Sequence, residues 1–303
     1  MASLKKRLDY IKSDRNNLRM MLLKKVSPLL SDEKYLSIIV KWGCGYKPNL
    51  KNPQTFNEKL TWLKLNFRNP ILTQMADKYA VKRIVAKIIG EEYVVPNYGV
   101  WDSYDQIDFS NLPEQFVLKG THDSGGAFVC KDKDLFNFKE VGKCLTRNLK
   151  RDFYYAGREW PYKDIPHRII ADKFLDDHTG AELRDYKFWC FNGKPYFMYI
   201  TIKGENVYEN FYDMDFNPAL INHGFPRHQP EFEKPKCFDL MKELATKLSQ
   251  GLPFVRVDFF QVDNRVYFGE YTFFDWGGKR AFTEYETDLY LGSLINLNLI
   301  KDF

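Results

Sequence analysis

The sequence predicts an α+β fold with a helical N-terminal region. Three observations predict it. Apolar residues recur at helical spacing through the first third of the chain, and short β-rich runs dominate from about residue 113. Those runs read as antiparallel hairpins with isolated helices between them, without a regular strand–helix–strand repeat. The 303 residues allow two domains, or one large domain with a helical appendage. The expected division is a mainly helical region with a connecting segment over 1–110, then a second region over 111–303. An apolar fraction of 44% with 17% aromatics gives the chain ample surface to bury, which excludes disorder.

The elements follow in order. Leu18, Met21 and Leu22, then Tyr35, Ile38 and Ile39, mark helices within residues 3–45. Gly43-Cys44-Gly45 and Pro48 break the pattern. Thr55-Phe56-Asn57-Glu58 has capping-box spacing and leads a helix through Trp62 and Leu65. A further helix is expected from Ile71 to Ile89, stopped by Gly90. Pro96 to Asp108 carries mixed strand and loop signals. Strands are expected at Phe116–Leu118, Arg168–Ala171, Tyr186–Phe191, Tyr196–Ile202, Phe254–Phe260 and Val266–Phe274, with an amphipathic helix over Phe238–Leu248.

Net charge is +5, unevenly placed. Residues 1–25 hold Lys5, Lys6, Arg7, Lys12, Arg15, Arg19, Lys24 and Lys25 against Asp9 and Asp14, so this segment contains more than the whole surplus. The near-neutral remainder argues against a nucleic-acid reader. The basic segment suits peripheral contact with anionic lipid headgroups; the plainer reading is a solvated helix face. No run of 18 apolar residues suggests a membrane span, and no secretory signal is expected. The five cysteines, Cys44, Cys130, Cys144, Cys190 and Cys237, are odd in number and lack zinc-ligand or disulfide-framework spacing. A reducing cytosol fits them, and localisation is expected to be cytoplasmic, including the inner face of the membrane.

Three segments can carry chemistry. In Phe116-Val-Leu-Lys119-Gly-Thr121-His122-Asp-Ser124-Gly125-Gly126, a strand delivers a lysine into a glycine-rich loop. Loop N–H groups can cradle phosphate oxygens and Lys119 adds a point charge; a surface lysine before a hairpin turn is the bland alternative. In the second, a strand ending at Asp172-Lys173-Phe174-Leu175 runs into an extended link that can offer backbone groups to a purine edge. After Glu182, the next strand places Asp185 and Lys187 on one face. In the third, Arg256, Asp258, Glu270 and Thr272 interrupt two aromatic strands joined near Asp263-Asn264. Burying such acids is costly unless they are paired or bind metal. A three-residue loop, Asp263 to Arg265, sets Asp258 opposite Glu270 and Arg256 opposite Thr272. A two-residue loop shifts the register and puts the acids on opposite faces. Paired, the carboxylates suit Mg²⁺ with bound phosphates; a salt-bridge network is the alternative.

Taken together, Thr55-Phe-Asn-Glu-Lys59, Ala76-Asp-Lys-Tyr-Ala-Val-Lys-Arg83, Phe116–Gly126, Asp185-Tyr-Lys187 and Val257-Asp258 with Phe268-Gly-Glu-Tyr-Thr-Phe-Phe274 resemble the ATP-grasp superfamily over roughly residues 75–280. They are closest to its TupA-like branch of teichuronopeptide and polysaccharide biosynthesis. The resemblance implies two α+β subdomains clasping ATP with Mg²⁺. It implies phosphate contacts from Lys119 and the Thr121–Gly126 loop, an earlier contact from Lys78 or Lys82, and an adenine-side link at Asp172 to Leu175. It further implies that Glu182 holds the ribose, that Lys187 faces the transferred phosphate, and that Arg256 neutralises developing charge. Asp258, Glu270 and Thr272 would ligate metal, Thr272 standing where the family often has Asn, and Asp172 where Glu is commoner. The activity so implied is an amide-forming ligase that joins a small-molecule or saccharide carboxylate, of uronic-acid type, to an amine through an acyl phosphate. Arg280, after Asp275-Trp276-Gly277-Gly278, is a candidate clamp for the carboxylate. Two alternatives stay open: a glycosyltransferase using Asp213-Met214-Asp215, and a kinase with a hydroxyl acceptor.

Overall fold

A computed structural model describes residues 23, 26–124, 126–178, 183–203 and 207–301. The basic segment 1–25, apart from Leu23, lies outside the described residues, as do Gly125 and Glu182. Among the described residues the main helices that come first are α1 (Asp32–Cys44), α2 (Phe56–Asn66), α3 (Pro70–Ala76) and α4 (Ala80–Ile89). The capping box at Thr55 forms, with Thr55 Oγ1 accepting from Glu58 N–H at 3.1 Å and Glu58 Oε2 accepting from Thr55 N–H at 3.1 Å. The helix expected over Ile71–Ile89 is split. Asp77 is extended, with φ −72° and ψ 116°, and its Oδ1 accepts from Tyr79 N–H. A short polar side chain that caps its own turn competes with the helix at that point.

Two antiparallel sheets follow. The first has strand order β1-β4-β2-β3, formed by β1 (Asn97–Trp101), β2 (Phe116–Gly120), β3 (Ala127–Cys130) and β4 (Ile169–Lys173). Helix α5 (Phe138–Leu149), which the sequence reading did not anticipate, covers it with Val141 and Leu145. The second sheet has order β7-β6-β5-β8-β9, from β5 (Asp185–Phe191), β6 (Lys194–Lys203), β7 (Val207–Asp213), β8 (Phe254–Val262) and β9 (Arg265–Thr272). Helix α6 (Phe238–Leu248) packs on its buried face, and α7 (Tyr285–Ser293) closes the chain against α2.

The expected division near residue 110 cuts across this arrangement. β1 lies before it and pairs with β4, setting Val100 opposite Ile170. Phe56, Leu60, Leu72 and Val85 of the helices share one core with Trp189, Phe254 and Tyr271 of the second sheet. The helices are thus part of the wall that fixes the second sheet, because their apolar stripes have no other partner.

The β8–β9 hairpin departs from the expected route yet reaches the expected pairing. Its loop has two residues, Asp263 and Asn264, with φ 49° and 59°, so Val262 pairs with Arg265. Positive φ at both central positions is the turn that matches strand twist. That register alone would separate the acids. One extra residue, Gly269, bulges out between the pairs Phe259–Phe268 and Asp258–Glu270, and restores Asp258 opposite Glu270 and Arg256 opposite Thr272.

Candidate active site

The two sheets face each other across a cleft of about 720 Å³. From the first sheet come Lys119 on β2, Ala127 on β3 and Asp172 on β4; the second supplies Asp185 and Lys187 on β5, Tyr199 on β6, Arg256 and Asp258 on β8, and Glu270 and Thr272 on β9. Lys78, Lys82, Ser124 and Gly126 line it as well. Strand alternation explains the set on β5 and β8, where residues two apart share a face.

The lysines stand in pairs with carboxylates. Asp172, buried, lies 3.0 Å from Lys82 Nζ and 3.2 Å from Lys119 Nζ. Its carboxylate therefore holds two ammonium groups side by side. Lys82 also donates to Val95 O at 2.7 Å. Lys78 donates to the Asp123 carbonyl of the glycine-rich loop, with the Asp123 carboxylate 3.9 Å away. Burial holds both Lys78 and Lys82 below the usual lysine value, with Glu270 and Asp123 opposing this at Lys78 and Asp172 at Lys82.

Arg256 organises the acids. Its Nε and Nη2 donate to the two Asp258 oxygens at 2.7 Å each, and Nη2 donates to Glu270 Oε1 at 2.9 Å. Nη1 donates to Asp275 Oδ1 at 2.5 Å and to the Tyr199 hydroxyl at 3.2 Å. Three carboxylates surround one guanidinium. Burial pushes the Asp258 carboxyl up to about 7, although Arg256 and Lys187 pull it down. Asp275 Oδ2 is buried and has no hydrogen-bond partner. Lys187, opposite Asp258 in the sheet, pairs with Asp185 at 2.7 Å. Thr272 donates to Glu270 Oε1 at 3.2 Å, which leaves its hydroxyl lone pairs available.

This donor set fits Mg²⁺ only together with a ligand. Among the described residues no group of three or more His, Cys, Asp or Glu is placed to hold a metal. Mg²⁺ commonly takes one or two carboxylates and completes its shell with waters and phosphate oxygens. The excess of acid around Arg256 is the charge a divalent cation would offset.

Other candidates stand apart from the cleft. Thr121 is buried, its Oγ1 donating to Pro166 O at 2.9 Å, so it anchors the loop base. His122 is also buried, stacked on His167 with centroids 3.9 Å apart and in contact with Asn148 O through Nε2. Lys173 is exposed and its N–H donates to Pro96 O. The Phe174 ring lies under Lys131 Nζ. Leu175 packs with Val95 and Val262 behind Phe260, which does line the cleft. Asp213 of the Asp-x-Asp triplet accepts from Asp215 N–H at 2.9 Å and Asn217 N–H at 2.8 Å. It caps its own turn outside the cleft, a correction to the sugar-nucleotide alternative. Arg280 is no open clamp either. Its guanidinium lies over Phe225 at 4.0 Å and Trp276 at 4.4 Å, and Nε donates to His223 O.

Sequence reasoning missed Glu159, Tyr162 and Tyr199, all of which line the cleft. Tyr199 was within reach, because it pairs with Lys187 across β5–β6. Glu159 follows the one-turn helix Tyr154–Gly157 in an aperiodic stretch that gave no signal. It lies 3.9 Å from Lys64, whose Nζ is wholly buried and donates to Gly157 O and Gly277 O at 2.8 Å. Burial pushes the Glu159 carboxyl up and brings Lys64 down to about 8, each opposed by its partner.

Residues 58–296 match the family described as TupA-like ATPgrasp. The chain belongs to that family. Among solved structures it is similar to the D-alanine–D-alanine ligase of Bacillus anthracis in complex with ATP, at 16% identity, covering 77% of this chain and 70% of that one, TM-score 0.44. It is also similar to the Helicobacter pylori D-alanine–D-alanine ligase, at 15% identity over 80% of this chain and 67% of that one, TM-score 0.41. The ATP-grasp ligase PsnB, solved with its minimal precursor, matches at 10% identity over 72% of this chain and 60% of that one, TM-score 0.39. No curated protein matches the sequence. No helix among the described residues is long and apolar enough to cross a membrane.

Proposed function

We propose that the cleft binds ATP with Mg²⁺ and that the protein joins a carboxylate to an amine through an acyl phosphate. The carboxylate we assign is a uronic-acid-type sugar of a surface polysaccharide, and the amine an amino acid or simple amine. The reaction would run in the cytoplasm, where ATP is available. The observation that supports this reading is the convergence on one cleft of Lys78, Lys82 and Lys119 from the side of α4 and the first sheet with Lys187, Asp258 and Glu270 from the second sheet.

The residues divide the work by charge. Lys119 and Lys82, held parallel by Asp172, bind phosphate oxygens, and Lys78 leaves Asp123 to join them. Val81, Val95, Ala127 and Phe260 supply apolar surface for the base. A carboxylate oxygen attacks the γ-phosphorus, the bond to the β–γ bridging oxygen breaks, and ADP leaves. The amine nitrogen then attacks the acyl carbon, phosphate leaves, and the nitrogen gives up a proton. Lys187 faces the transferred phosphoryl group, and Arg256 neutralises charge that grows on the acyl oxygen. Mg²⁺, held by Asp258 and Glu270 with Thr272 beside them, would screen the phosphate charges. The protein forms no covalent bond, so positioning and electrostatics carry the catalysis.

The test is ADP release over a panel of uronic acids and amines, with hydroxylamine replacing the amine. ADP release with trapped hydroxamate is expected. ADP release with a hydroxyl acceptor and no hydroxamate would overturn the ligase reading in favour of a kinase.

A further inference from the structure

Trp276 lines the cleft with 40% of its surface exposed, more than any other tryptophan of the described residues. Its backbone is left-handed, φ 48° and ψ 23°, and Gly277 and Gly278 continue that turn at φ 63° and 56°. A bulky residue rarely holds this conformation unless its surroundings impose it, and such residues concentrate at ligand sites. Here the brace is visible. The Arg280 guanidinium lies against both the Trp276 and Phe225 rings, which also touch each other with centroids 5.6 Å apart, and Nε is fixed to His223 O at 3.0 Å. Lys64 anchors the turn from below through Gly277 O at 2.8 Å. The indole is therefore a rigid wall, with one face covered by a cation.

We propose that Trp276 is the stacking platform of a saccharide subsite in this cleft, an inference that rests on the ligase reading and names the residue that selects its acceptor. The groups lining the same cleft decide between ligand classes. Asp185, Lys187, Thr201, Glu159 and Tyr162 can all hydrogen-bond. Asp185 already pairs with Lys187, and Glu159 with Lys64, but each keeps hydrogen-bonding capacity that an aromatic side chain laid on Trp276 would leave unmet, a costly arrangement once water is displaced. A pyranose meets both demands. Its C–H face lies on the ring while its hydroxyls reach the polar groups, and a sugar carboxylate is drawn toward Lys187 and Arg256.

The experiment measures equilibrium binding of a glucuronate-containing disaccharide to the full chain with Mg²⁺ and a non-hydrolysable ATP analogue. Trp276→Gly suits the left-handed backbone, so it removes the ring without imposing strain; Trp276→Phe keeps an aromatic face. Analogue affinity is the control for an intact fold. We expect Trp276→Gly to weaken disaccharide binding roughly tenfold and Trp276→Phe to retain most of it. Unchanged binding in Trp276→Gly would overturn the subsite, as would a phenylalanine-containing dipeptide that binds while the disaccharide does not. Hydroxamate formed from a non-sugar carboxylate, with no disaccharide bound, sinks the subsite and leaves the ligase reading standing. Disaccharide bound through Trp276, with no hydroxamate from any carboxylate, does the reverse.

Discussion

Arg256 meets Asp258, Glu270 and Asp275 at once, and this crowding makes single substitutions informative. Asp258→Asn and Glu270→Gln each remove one of the charges proposed to bind metal and leave the guanidinium two other carboxylates. Both should lower the rate of ADP release by about a hundredfold or more, with unchanged circular dichroism. Full activity in either would refute the metal assignment. Lys119→Ala removes a proposed charge-assisted phosphate contact, worth about 1.5–3 kcal/mol, so ATP affinity should fall by roughly tenfold to a hundredfold in titration calorimetry. An unchanged affinity would count against the lysine pair. Glu231 offers a test away from the cleft. Burial pushes its carboxyl up, but hydrogen bonds from Arg227, Tyr212 and Asn210 outweigh this and hold it at about 2, against 4.5 when free. A depressed carboxyl contributes stability above pH 4.5 that is lost as pH falls toward 2. Thermal melts between pH 5 and 3 should therefore show a steeper acid loss in the parent than in Glu231→Gln; parallel curves would contradict this.

The β8–β9 hairpin shows how one residue sets chemistry at the level of an element. Gly269 is the extra residue, and a Cβ there would stand 3.1 Å from the Asp258 carbonyl oxygen and 3.2 Å from the Phe260 ring. Deleting Gly269 closes the bulge and leaves Glu270 next to Phe268, so in a regular ladder it still stands opposite Asp258 on the same face. The deletion variant should keep both its hairpin and its Mg²⁺-dependent stabilisation by ATP in a thermal-shift assay; loss of that shift would show that the bend of the bulge, and not the register alone, aims the acids. The pairing of Asp258 with Glu270 was legible because the acids interrupt aromatic strands. The bulge was not, because a glycine inside a strand marks equally a bulge, a bend or a close approach. The capping box was legible for the opposite reason: Thr55 and Glu58 satisfy each other within one turn. Helix α5 escaped notice because its two inward residues, Val141 and Leu145, sit among charged neighbours, and only β2 and β4 reveal what they cover.

At the scale of the whole molecule, the helices of the first third and the second sheet share one core, so the cleft wall cannot move without them. Motif order along the chain was legible, and Lys119, Lys187, Arg256, Asp258 and Glu270, singled out from it, all line the cleft. What local sequence could not show was the pairing of β2 with β4 and the docking of α4 beside them, which joins Asp172 of one strand to Lys82 of a helix and Lys119 of another strand. For the same reason Thr121 and His122 read as loop residues, although the fold buries them. The central claim is that the lysines of the first sheet and α4 meet the acids of the second around one triphosphate. A crystal structure with Mg²⁺ and a non-hydrolysable ATP analogue tests it most directly. The account predicts phosphate oxygens within hydrogen-bonding distance of Lys119 and Lys82, with the metal on Asp258 and Glu270. A nucleotide bound elsewhere, or those acids still closed on Arg256 with no metal between them and the phosphates, would contradict it.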